Sequence, residues 1–101
     1  FSLSILGDKY TEKLEWNLLF SSNSTSSLLT TLVTKNVNNS LSDSTSLILM
    51  NDSGDTLFNA LILDEIVFTS LDSLTLIGTP SKLTFESDNF SGRLEYQIII
   101  N

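Results

Sequence analysis

The chain has 101 residues, 41% of them hydrophobic, and a net charge of −7 from 12 acidic and 5 basic residues, which is the size of one domain with material for one core. It contains no cysteine and no histidine, so disulfides, thiol nucleophiles, Ser-His-Asp triads and ordinary zinc, copper or haem ligation are excluded. The basic residues Lys9, Lys13, Lys35, Lys82 and Arg93 are scattered along the sequence, which argues against nucleic acid and anionic membrane surfaces as partners.

Period-two alternation opens the chain. Phe1, Leu3 and Ile5 alternate with Ser2 and Ser4, and Gly7-Asp8-Lys9 then breaks the pattern. We read residues 1–9 as a strand plus hinge and residues 10–101 as the body of a sandwich. Leu14, Trp16, Leu18 and Phe20 form the next alternating set, followed by turn material from Ser21 to Ser27. Strands are expected over Leu28–Lys35, Ser46–Met50, Thr56–Leu63, Ile66–Ser70 and Ser73–Gly78. Several are apolar on both faces, as in strands central to a packed sandwich. The separators Asn36–Thr45, Asn51–Asp55, Asp64-Glu65 and Gly78–Ser81 are rich in turn formers. Leu83 and Phe85 alternate next, Ser87–Asn89 turns, and Leu94, Tyr96, Ile98 and Ile100 alternate to the end. Helical spacing also exists over Tyr10–Phe20 and Asp55–Phe68, but their neighbours read as strands. The expected fold is all-β: an immunoglobulin-like or jelly-roll β-sandwich of about nine short, mostly antiparallel strands.

No segment approaches the roughly 20 apolar residues needed to span a bilayer, so no membrane insertion is expected. The start at Phe1 rather than Met reads as a processed mature form. Ser, Thr and Asn make up more than a third of the chain, while charged residues are only 17%. Hydroxyls and amides in place of charges fit an extracellular or cell-surface location.

Candidate sites are few. Asp52-Ser53-Gly54 resembles the Asp-Thr/Ser-Gly motif of retroviral-type aspartic proteases, with Leu76-Ile77-Gly78 as a second apolar-apolar-Gly element. Their separation is too short for a substrate flap, and the string reads as a hairpin turn. Asn51, Asp52, Ser53 and Asp55 also offer oxygens to a calcium ion, without the distal bidentate Glu of a known loop. Carboxylate pairs at Asp64/Glu65 and Glu12/Glu15 read as solvated charges rather than as glycosidase acid and base. Trp16, with Tyr10 and Tyr96, is either a sugar-stacking platform or core, and alternation with Leu14 and Leu18 favours core. Asn23, Asn38, Asn51 and Asn89 begin N-glycosylation sequons in expected loops, making N-linked glycans candidate partners. No catalytic residue, metal or cofactor is expected.

The two ends carry the sharpest functional expectation. Alternating strands at both termini need a sheet edge to pair with. An N-terminal alternating strand ahead of a β-sandwich resembles pilin-like subunits joined by donor-strand complementation. That resemblance implies that Phe1, Leu3, Ile5 and Gly7 engage a neighbouring subunit, with Gly7-Asp8-Lys9 as hinge. Head-to-tail contacts of this kind propagate as a filament. The expected function is therefore a structural subunit of an extracellular filament, a homo-oligomer assembled by strand donation. The alternatives are a secreted carbohydrate-binding module and a viral capsid or decoration jelly roll.

Overall fold

A computed structural model describes residues 1–20, 27–37 and 45–100, leaving aside the side chains of 75 and 76. Alternating sequence becomes strand wherever one face can be buried. In chain order these are β1 (Ser2–Tyr10), β2 (Lys13–Asn17), β3 (Ser27–Lys35), β4 (Ser46–Asn51), β5 (Thr56–Leu61), β6 (Val67–Ser73), β7 (Pro80–Glu86) and β8 (Phe90–Ile100). A single helical turn, α1 (Leu74–Ile77), lies between β6 and β7.

The strands form two four-stranded sheets, β1-β8-β3-β6 and β2-β7-β4-β5, and every pairing is antiparallel. First pairs with last, second with seventh, third with sixth and fourth with fifth, as if one long hairpin were bent at the β4–β5 turn. Rolling that hairpin brings β8 against β3 and β7 against β4. This is the connectivity of the double-sheet jelly roll. The immunoglobulin alternative drops out, because its sheets pair the first two strands with each other, whereas β1 and β2 lie in different sheets here.

The core lies between the sheets. Along β3 the buried set is Leu28, Thr30, Leu32 and Thr34, and along β8 it is Phe90, Leu94, Tyr96 and Ile98. Leu47 and Leu49 of β4 and Leu83 and Phe85 of β7 face them from the other sheet. Each Leu, Ile or Phe among them is worth roughly 1.5–3 kcal/mol of burial. Phe58 of β5 bridges the sheets, stacking on Tyr96 at 6.0 Å and meeting Phe68 of β6 at 5.1 Å. At the opposite end Phe85 and Phe90 meet edge to face at 5.7 Å.

Two expectations are corrected. Among the described residues there are eight strands rather than about nine, because Ile66–Ser70 and Ser73–Gly78 are not separate strands. β6 ends at Ser73, opposite the first residue of β3, and among the described residues none pairs with those beyond it. They turn instead as α1, which buries Leu74 and closes with the Gly78 amide donating to Leu74 O at 2.9 Å. The segments with helical spacing, Tyr10–Phe20 and Asp55–Phe68, form strands and turns as their neighbours indicated, because each has a neighbouring strand to complete.

The second correction concerns the N-terminal strand. The edge it needs is supplied by its own chain. β1 pairs with β8 from Ser2↔Gln97 to Gly7↔Gly92, and resumes at Tyr10↔Phe90 after an irregularity. The Phe1 amino group donates to Ile98 O at 3.0 Å, and the Ile98 amide donates back to Phe1 O at 2.9 Å. Ile5 is buried in the core and Leu3 packs against it. Residues 1–9 are thus part of the sandwich rather than a separate arm. Gly7 is a site of close packing rather than a free hinge: a Cβ there would lie 2.7 Å from the Phe90 ring and 2.8 Å from its carbonyl oxygen.

Candidate interaction surface

The Asn51–Asp55 segment is built as a turn. Asn51 is only 7% exposed. Its Oδ1 accepts the amides of Ser53 at 3.0 Å and Asp55 at 2.9 Å, and its Nδ2 donates to Ile77 O at 3.0 Å. Gly54 takes φ 87°, the left-handed region such a turn requires. Asp52 is exposed on this hairpin, and the oxygen that Asn51 would lend a cation is already spent on two amides. Asn51, one of the candidate glycan acceptors, is thus held inside the turn with both atoms of its amide hydrogen-bonded. Asn89 is exposed in the β7–β8 turn at φ 55°, and Asn23 and Asn38 lie outside the described residues.

The other candidates disperse. Asp64 Oδ1 accepts the Glu65 amide, and Glu65 Oε1 accepts the Asn36 amide, so this pair organises a turn. Glu15 sits between Lys82 at 3.3 Å and Lys13 at 3.6 Å. The hydrogen bond and charge of Lys82, then Lys13, hold its exposed carboxyl below the ordinary range. Trp16 is half-buried against the core and meets Phe1 edge-on at 6.4 Å, so it joins the two sheets at one corner. Tyr10 is likewise half-buried against the core, and Tyr96 is inside it. Among the described residues no cluster of three or more acidic side chains could hold a metal ion.

What the fold brings together is the outer face of the β1-β8-β3-β6 sheet. Strand register aligns its outward side chains in rows across the strands. Leu71, Leu29 and Ile99 form one row. Thr69, Thr31, Gln97 and Ser2 form the next. Val67, Val33, Glu95 and Ser4 form the third, and Lys35, Arg93 and Leu6 the last. Val67 is 83% and Leu71 68% exposed. A shallow groove of about 450 Å³ runs over the middle rows, with Ser2, Ser4, Thr31, Val33, Glu95 and Gln97 along it. Arg93 pairs with Glu95 at 3.1 Å beside it. The opposite sheet turns a different face outward: Lys13, Glu15 and Asn17 lie beside Glu86, Thr84 and Lys82.

The sequence offered a partial signal for this face. Val67, Thr69 and Leu71 alternate with Phe68 and Ser70, but apolar residues on both faces fit a central strand as well as an exposed edge. Only the topology assigns β6 to an edge. Compared with protein-family models and with curated proteins, the chain matches none.

Proposed function

We propose that this chain is a structural subunit that works by associating with copies of itself, in the manner of a coat or decoration jelly roll. The observation that carries this reading is the row pattern on the β1-β8-β3-β6 sheet, where Val67, Val33, Leu71, Leu29 and Ile99 place apolar surface outside a core that is already complete. Exposed apolar surface on a finished domain marks a contact site for another macromolecule. The Ser-, Thr- and Asn-rich remainder of the surface suits an extracellular setting, with Asn89 as an accessible glycan acceptor.

Assembly by donation of residues 1–7 fits less well. It would take β1 from β8 of its own chain and restore the same contacts in a neighbour, with Ile5 gaining nothing. The groove beside Glu95, Gln97 and Thr31 supports a second reading, carbohydrate binding through hydroxyl, amide and carboxylate groups. Tyr96 also lines the groove but is buried in the core, so it offers no open ring face of the kind that sugar rings stack on.

Negative-stain electron microscopy and sedimentation of the full chain test the main reading. Discrete oligomers that grow with concentration are the expected result. A monomer at every concentration, with glycan binding lost in Glu95→Gln, would replace it with the carbohydrate reading.

A further inference from the structure

We infer that β6 is the contact strand, pairing antiparallel with β6 of a second copy about a two-fold axis at Thr69. This rests on the self-association reading above and adds the element, the register and the symmetry.

The four sheet edges differ in how they resist pairing. β1 has its irregularity between Gly7 and Tyr10, with Lys9 at φ 52°. β2 is five residues long and carries the Lys13–Glu15–Lys82 ion pairs. β5 pairs with β4 through a register shift between Leu49 and Met50. Short length, charge and bulges are the usual guards of an edge. β6 runs in unbroken register from Val33↔Val67 to Ser27↔Ser73, without proline, lysine or bulge. Among the described residues it has β3 on one side and no strand on the other.

The register follows from the hydrogen bonds. The Thr34 amide donates to Ile66 O at 2.8 Å, so Thr34 and Ile66 turn their bonding groups toward each other. Alternation along an antiparallel ladder then turns Phe68, Ser70 and Asp72 toward β3, and Val67, Thr69 and Leu71 toward the open side. Placing the two-fold at Thr69 sets Thr69 opposite Thr69, and Val67 opposite Leu71 of the second copy. All three outward residues then exchange both backbone bonds. A two-fold one residue to either side leaves Val67 or Leu71 without a counterpart from the Val67–Leu71 segment. The chosen register also makes apolar cross-strand pairs of the two most exposed large hydrophobic side chains of the strand. It extends the row of Leu71, Leu29 and Ile99 into the row of Val67 and Val33 on the second copy. The charged residue of the strand, Asp72, accepts the Ser70 hydroxyl at 3.2 Å and lies beyond the paired segment, opposite Ile66 rather than another carboxylate. A strand pair of this length buries less than the roughly 1,200 Å² of a stable interface, so association belongs in the micromolar range.

Sedimentation velocity from low to high micromolar concentration, with amide exchange followed by NMR, tests this. The full chain is expected to pass from monomer to dimer, and exchange at Val67, Thr69 and Leu71 to slow as it does. Thr69→Pro removes an outward N–H that the strand's own sheet does not use, a place where proline is tolerated. It should leave a folded monomer. Ser4→Pro makes the same change on the outward side of β1 and should still dimerise. Should Thr69→Pro fail to fold, Leu71→Lys reads the same interface. Dimers persisting in both β6 variants overturn the β6 contact while self-association stands. A full chain that stays monomeric throughout overturns both.

Discussion

Asn51 does the work of several backbone groups at once. It is buried at the end of β4, where the chain must reverse, and its amide replaces the ladder partners that the turn lacks. Two acceptor bonds and one donor bond converge on it. Asn51→Ala leaves two amides and the Ile77 carbonyl short of partners, and should cost about 2–4 kcal/mol, read as a lower urea midpoint at unchanged m-value. An unchanged midpoint would mean that the turn is held by its backbone alone. Tyr96 makes the opposite case. Its hydroxyl is buried without a hydrogen bond of good geometry. Burial pushes its ionisation above the ordinary phenol range, and the nearby Thr30 hydroxyl opposes only part of that. Tyr96→Phe removes the uncompensated group and keeps the ring on Phe58, so it should be neutral or stabilising by up to about 1 kcal/mol. The sign of the pH effect follows: the folded state disfavours the phenolate. The contribution of Tyr96 is therefore intact below about pH 10, the unfolded value, and is lost as pH rises from there toward the raised folded value. Alkaline unfolding monitored by tyrosinate absorbance should show Tyr96 ionising with the unfolding transition, and Tyr96→Phe should resist that transition better.

At the scale of elements, β1 shows where sequence reading succeeded and where it stopped. Alternation at Phe1, Leu3 and Ile5 announced a strand that needs an edge, and the strand is there. Which edge it takes depends on residues about ninety positions away in β8, and no local pattern encodes that choice. Gly7 illustrates the same limit. In the sequence it looks like a break before Asp8-Lys9, whereas in the fold it is the gap into which the Phe90 ring fits. Gly7→Ala should cost about 1–3 kcal/mol through forced movement of Phe90, measured by thermal or chemical unfolding. A loss under a few tenths would restore the hinge reading. The turn at Asn51–Asp55 was legible because it depends on residue type at fixed local offsets. The Trp16 assignment was legible because burial follows alternation. The β6 surface was not, since Val67 and Leu71 carry the same letters in a central strand as on an exposed edge. The Ser73–Gly78 segment failed for a related reason: β propensity made it a strand, but the chain turns there as α1, and among the described residues the ladder with β3 extends no further than Ser73.

For the whole molecule, fold and charge pull association in opposite directions. The jelly roll closes its core using its own first and last strands, and the proposed contact lies on one sheet face and its β6 edge. Any second copy that approaches this edge brings the same net charge of −7. Like charge of this size holds identical chains apart over a distance set by screening, about 30 Å at 0.01 M salt and about 8 Å at 0.15 M. The contact itself is made by Val67, Thr69 and Leu71, which carry no charge, so salt screens the repulsion without weakening the attraction. Raising sodium chloride from about 0.01 to about 0.15 M should therefore tighten dimerisation several-fold, read as a shift of the weight-average sedimentation coefficient at fixed protein concentration. Titrating carboxylates toward the isoelectric point near 4.1 should act in the same direction. A dimer that instead loosens with salt would place the contact on ion pairs such as Arg93–Glu95, and move the interface from the edge of β6 to the charged end of the sheet face.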